Sequence, residues 1–171
     1  QWTAGLQVIR DMEFDEYDQP DTYYIIHLDK KGEVDAACRL NPTSKPYMIA
    51  EHYPEFVEDI PLPHSNTIWE ISRFCASKQA RTDSKGRITG QLIAAALEFG
   101  LAKGVTNYVA LATDHLLPII KRIGGWDPTP LGPKKHTPND VSYSVIYTVS
   151  QAMLEHVRKK NHISGALLFE I

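Results

Sequence analysis

Apolar positions recur as short strand-like runs in the first half of the chain, and from residue 87 the spacing turns helical. Residues 1–21 read as an acid-rich loop closed by Gln19-Pro20-Asp21. TYYIIHLD at 22–29 is aromatic and β-branched and predicts a strand. Lys30-Lys31-Gly32 marks a hairpin turn, and EVDAACRLN at 33–41 the return strand. Alternation puts Val34, Ala36, Cys38 and Leu40 on one face and Asp35, Ala37 and Arg39 on the other. The proline-containing stretch 42–63 predicts an irregular connection with a short helix around 52–57. NTIWEISRFCA at 66–76 predicts a further strand, with Glu70, Ser72 and Phe74 opposite Trp69, Ile71 and Arg73 in regular pleating. A bulge would change that assignment.

Residues 77–87 read as a polar loop. The helix predicted over 87–104 gathers Leu92, Ala95, Ala96 and Phe99 on one face and stops at Gly104. VTNYVALAT at 105–113 reads as a buried strand, and 114–125 as a short helix with Asp114 as its N-cap and glycines at its end. A strand over 141–149 and a helix over 150–160 follow, and the apolar tail 163–171 receives no element. The order predicts an α/β (α+β) fold, a mixed sheet with helices on its faces.

At 171 residues the chain is expected to form one domain, 1–171, with a real core. A formal net charge of −3 argues against a dedicated nucleic-acid binder. No apolar run reaches membrane-spanning length, and the start QWTAGLQVIRDME lacks the basic end and apolar block of a signal peptide. A cytoplasmic protein with no membrane span is expected. Cys38 and Cys75 read as small core residues of a reducing compartment. The seven histidines show no metal-ligand spacing, so no metal is expected.

Three charged motifs interrupt the apolar pattern. MEFDEYD at 12–18 carries Glu13, Asp15, Glu16 and Asp18. CRLNPTSKPYMI at 38–49 places Arg39 near a strand end, and WEISRFCA at 69–76 places Glu70 and Arg73 among Trp69, Ile71 and Phe74. Ionised groups within apolar strands are unfavourable unless paired or used. Any one motif alone also suits a solvated loop or an ordinary ion pair. Together they point to a site for a cationic, zwitterionic substrate.

In this order and spacing, across roughly residues 2–150, the motifs resemble those of the acyl-homoserine-lactone synthases, the LuxI-type autoinducer synthases. The resemblance is carried by E-x-D-x-x-D in Glu13, Asp15 and Asp18, R-[LF]-x-P-T-x-x-P-x-[ML] from Arg39 to Met48, and W-E-x-S-R-F at 69–74. It implies a GCN5-related N-acetyltransferase-like three-layer fold with a splayed sheet. It also implies a reaction without cofactor: the amine of S-adenosylmethionine takes an acyl group from acyl carrier protein or acyl-CoA. Lactonisation then releases methylthioadenosine and yields a quorum-sensing signal. The family's N-terminal helical segment, ahead of the tryptophan aligned with Trp2, is expected to be missing here.

The resemblance assigns catalytic roles to Glu70, Arg73 and Arg39. Glu70 is the candidate general base, directly or through a water, or else holds the neighbouring arginine. Glu13, Asp15, Asp18, Ser72, Phe74 and Trp2 are candidate substrate contacts, with the amide of Phe74 or Cys75 as oxyanion donor. Trp69, Leu92, Leu111, Ala112 and Ile146 are candidate acyl-pocket residues, and Lys85 to Gly90 a candidate phosphate cradle. Leu111 stands where a threonine accompanies 3-oxo chains, which favours an unsubstituted chain. Lys121, Arg122, Lys134, Lys135 and Arg158 are candidate contacts for an acidic carrier. Arg39→Ala is expected to harm activity more than stability. Two other readings remain open: an acetyl-CoA-dependent N-acetyltransferase of the same fold, and a non-catalytic module binding acyl carriers or S-adenosylmethionine.

Overall fold

The computed structural model describes residues 7–9, 12–84, 87–137 and 140–169. Within the stretch read as a loop, β1 (Gln7–Ile9) and β2 (Met12–Phe14) form an antiparallel hairpin too short to leave a sequence period. β3 (Tyr23–Leu28) and β4 (Val34–Pro42) are the expected hairpin. The helix expected at 52–57 falls earlier, as α1 (Met48–His52), and a separate 3₁₀ turn covers Pro54–Phe56. Pro54 explains the break, because the residue before a proline is held out of the helical region: Tyr53 has φ −139°.

β5 (Ile68–Ala76) leads into α2 (Lys78–Asp83), where sequence predicts a loop. The Ser77 hydroxyl caps it by accepting from the Ala80 N–H at 3.0 Å, and Ala80 is its one buried side chain. So little apolar surface leaves no helical period to read. α3 (Arg87–Lys103), β6 (Asn107–Thr113) and α4 (Leu116–Ile119), which continues as a π turn over Ile120–Gly124, come next. Asp114 does not cap α4: the Thr113 hydroxyl accepts from the Leu116 N–H at 3.3 Å, and Asp114 pairs with Lys134 at 2.6 Å. The two-residue strands β7 (Thr129–Pro130) and β8 (Lys135–His136), then β9 (Val141–Thr148) and α5 (Gln151–Asn161), complete the order.

The seven-stranded sheet runs β3-β4-β5-β6-β9-β7, with β8 also on β9. Among the described strands only β5 and β6 are parallel, and they pair just from Ile68 to Glu70. Beyond Glu70 and Val109 the two strands separate. A cleft opens between residues 71–75 and 110–113.

α3 packs against one face of the sheet and buries Ile88, Leu92, Ile93 and Leu97. Each such aliphatic side chain contributes about 2 kcal/mol by leaving water. The Tyr108 hydroxyl donates to the Ala96 carbonyl at 2.8 Å, so the close approach needs the small residues of AAALEFG. The other face carries a smaller cluster of Tyr47, Ile49, Val109 and Leu131. The tail also docks: the Leu167 N–H donates to Glu98 at 2.9 Å, and Ile163, Leu167 and Leu168 rest on the core.

Candidate active site

The acidic motif folds into a tight turn held by its own carboxylates. Asp15 Oδ1 accepts from the Tyr17 N–H at 2.9 Å, and Asp18 Oδ2 from the Asp15 N–H at 2.8 Å. Asn41 anchors the turn to β4 by donating to the Tyr17 carbonyl at 3.1 Å. Arg39 lies beneath, 1% exposed. Its Nη1 reaches Asp15 at 2.5 Å and Asp18 at 3.1 Å, while its Nε donates to Ser72 Oγ at 3.1 Å.

Arg73 reaches the turn because β5 bulges. Ala37 pairs with Cys75 and Arg39 with Ser72, so Arg73 and Phe74 together oppose Cys38. Arg73 takes φ +50°, a left-handed conformation that costs a non-glycine residue about 1–2 kcal/mol. In return its Nη2 meets Asp15 at 2.8 Å, and its Nη1 meets the Glu13 carbonyl at 3.3 Å.

Burial alone would raise the Asp15 pKa, but hydrogen bonds from Arg39 and Arg73 outweigh it and hold the carboxyl below its ordinary range. Asp18 is lowered in the same way, with the Tyr24 hydroxyl, the Asp15 N–H and Arg39 overcoming burial. A depressed folded-state value stabilises the fold above the unfolded pKa and loses that support as pH falls through the folded value. Melting temperature is therefore expected to drop on acidification below the ordinary Asp value of 3.8. A rise over that range would contradict the network.

Glu70 is fully buried behind this cluster. It accepts from the Ile49 N–H at 2.9 Å and the Met48 N–H at 3.4 Å, the unsatisfied donors at the start of α1. Tyr47, the N-cap, offers no side-chain bond there, so Glu70 caps the helix from the neighbouring strand. Burial pushes its pKa up to about 7 against these two N–H donors and the Arg39 charge. No hydrogen bond joins it to Arg73; its structural partner is α1. That helix presents Met48 and His52 to the cavity, and Glu51 accepts from the Tyr17 hydroxyl at 2.8 Å.

A cavity of about 690 Å³ joins the cluster to the cleft. Glu13, Asp15, Arg39, Ser72, Arg73 and Phe74 line it. Of the expected acyl-pocket residues, Leu111 and Ala112 line it, and Trp69, Leu92 and Ile146 do not. Trp69 packs between Tyr23 and Phe99, Leu92 belongs to the α3 core, and Ile146 rests on the smaller cluster. The apolar wall comes instead from residues with no sequence signal: Ile120, Trp126 and Tyr147 among them. Trp126 is fixed by donating to the Thr148 carbonyl at 3.0 Å and by stacking on Tyr147 at 4.4 Å. Cys75, expected in the core, is an exposed free thiol on the cavity wall, and Cys38 is buried.

Trp2, Lys85 and Gly86 fall outside the described residues, and residues 87–90 do not line the cavity. Four of the five basic residues are paired within the chain: Lys121 with Asp127, Lys134 with Asp114, Lys135 with Glu58 and Arg158 with Glu98. Arg122 is exposed and makes no such pair among the described residues. Among the described residues no group of His, Cys, Asp or Glu is arranged to hold a metal ion. No helix there is long and apolar enough to cross a membrane.

A mixed sheet splayed at its parallel pair, with helices on its faces, defines the N-acetyltransferase class of fold. A putative N-acetyltransferase from Lactobacillus plantarum superposes with a TM-score of 0.55 at 16% identity, covering 84% of this chain and 80% of that one. Within that class the chain belongs to the autoinducer synthase family, whose model matches residues 1–157. An acyl-homoserine-lactone synthase of Acinetobacter nosocomialis is 32% identical over 114 residues, 61% of this chain and 62% of the relative. An isovaleryl-homoserine lactone synthase of Bradyrhizobium diazoefficiens is 35% identical over 120 residues, 70% of this chain and 52% of the relative. The chain thus spans between half and two thirds of these curated relatives. The CoA-dependent acyl-homoserine lactone synthase BjaI, solved with MTA and with SAM and isopentyl-CoA, superposes with a TM-score of 0.83 at 28% identity. The match covers 94% of this chain and 74% of that one.

Proposed function

We propose that the protein is an acyl-homoserine-lactone synthase acting in the cytoplasm on S-adenosylmethionine and an acyl thioester. The observation that carries this reading is the convergence of Glu13, Asp15, Arg39, Ser72 and Arg73 on one cavity, with Asp18 bonded to Arg39 beside it, and with Ile71, Leu111, Ala112, Ile120 and Trp126 in its apolar part. Glu13, Asp15 and Asp18 against Arg39 and Arg73 leave three negative and two positive charges, a net of one negative. That excess suits a sulfonium and an ammonium, while a guanidinium fork holds the methionine carboxylate.

Glu70 takes the amine proton through a bridging water, since its carboxylate is not on the cavity wall. A pKa of about 7 lets it accept and release a proton near neutrality. The amine attacks the thioester carbonyl in the cleft, where the amide of Phe74 or Cys75 stabilises the oxyanion. Collapse expels the thiol and forms the amide. The methionine carboxylate then attacks the carbon attached to the sulfonium, closing the lactone and releasing methylthioadenosine.

The donor in this reading is a coenzyme A thioester, as for BjaI. The self-paired lysines offer an acidic carrier little free charge. Reversal of Lys121 and Arg122 to glutamate is expected to change turnover less than about twofold with either donor, because Lys121 is already paired with Asp127 and single exposed charges contribute little. Selective loss of carrier-dependent turnover in steady-state assays would reinstate the carrier. The reading as a whole is tested by incubating the protein with S-adenosylmethionine and acyl-CoA and following acyl-homoserine lactone formation.

A further inference from the structure

Ser142 of β9 lines the cavity and is fully buried, yet its hydroxyl has no hydrogen-bond partner among the described residues. Buried hydroxyls are rarely left so, because an unmade bond is unfavourable in an apolar setting. Thr113, its cross-strand partner on β6, lines the same cavity. The Thr113 hydroxyl accepts from the Leu116 N–H at 3.3 Å, which leaves its own proton free to donate. Two hydroxyl-bearing residues on adjacent strands therefore line the cavity with Leu111, Ala112 and Leu116, the Ser142 oxygen lying just beneath its surface. Ser144, next on that face, is also unpaired but is not part of the wall.

We infer that Ser142, with Thr113, recognises an oxygen on the acyl chain, so that the preferred donor carries an oxo or hydroxy group. This rests on the acyl-thioester reading of the cavity and reverses the expectation drawn from Leu111. The donor absent at Leu111 is supplied from the neighbouring strand. A plain chain would leave the Ser142 hydroxyl unsatisfied, and a site built to bond an oxygen rejects an analogue without one more strongly than an apolar site rejects a methylene.

The test is a competition between 3-oxo-, 3-hydroxy- and unsubstituted acyl-CoA of equal length, with lactone products resolved by mass spectrometry. The protein is expected to favour an oxygenated donor by roughly tenfold or more in kcat/KM, and Ser142→Ala to bring that ratio close to one. Equal use of all three donors, a preference for the plain chain, or a Ser142→Ala ratio unchanged from the parent overturns the inference. If no lactone forms from any donor, the proposed reaction fails instead. Calorimetric binding of 3-oxoalkyl- and alkyl-CoA thioethers then decides: tighter binding of the oxo compound, lost in Ser142→Ala, supports the inference, and equal binding overturns it.

Discussion

Glu70→Gln should lower turnover by roughly two to four orders of magnitude, the range expected for a lost general base. The substitution is close to isosteric, and its amide oxygen can still accept from the Ile49 N–H, the shorter of the two bonds at the start of α1. The parent protein should show kcat/KM rising with pH through about 7 and levelling above it, because the base must be ionised. The variant should lose that limb. Stability should move differently. A carboxyl raised from 4.5 to about 7 in the fold binds its proton more tightly there than in the unfolded chain. Its contribution is present below 4.5 and lost as pH rises through about 7, a change on the order of 3 kcal/mol. Glutamine has no such term, so the variant's melting temperature at pH 8 should not fall below the parent's. A near-normal rate would remove Glu70 from catalysis and leave it as the anchor of α1. A rate loss with the pH limb intact would mean that it acts only by positioning that helix.

Arg39→Ala should abolish turnover and also destabilise the fold by about 3–5 kcal/mol, the cost of leaving buried charges without their partner. The sequence alone predicts harm mainly to activity, since a strand-end arginine is usually solvated. Burial to 1% exposure changes that outcome, because Asp15, Asp18 and Ser72 all depend on this guanidinium. Melting temperature should fall by roughly 10 °C or more. Adding Asp18→Asn should recover part of the stability and none of the activity. Lysine should substitute poorly, since a point charge cannot bond Asp15, Asp18 and Ser72 from a fixed fork. Normal stability with lost activity would show that the cluster is not the structural unit described.

The charged half of the site was legible because its members interrupt apolar runs: Asp15 and Asp18 beside a strand, Arg39 within one, Glu70 and Arg73 in another. That they meet at one site was expected; how Arg73 gets there was not legible. It depends on the Arg73 bulge, and a left-handed arginine has no sequence signature. The apolar half was largely hidden. Trp69 and Leu92 have the same spacing whether they line a pocket or fill a core, and only the packing of α3, through Phe99, against Tyr23 and Trp69 decides. Trp126, Ile120 and Tyr147 come from separate segments that meet only once the π turn and β9 are in place. The main strands and helices followed from their periods along the chain, whereas α2 buries a single alanine and the β1–β2 hairpin has three-residue strands, too little for a period to show.

Mass spectrometry of a reaction containing the purified protein, S-adenosylmethionine and a panel of acyl-CoA thioesters tests most directly whether the acid–guanidinium cluster and the cleft serve one bisubstrate reaction. An acyl-homoserine lactone and methylthioadenosine should appear in equal amounts, and both should vanish with Arg73→Met, which removes a cluster member that is not buried. Acyl transfer to an amine without methylthioadenosine, or tight binding of both substrates with neither product, would contradict it.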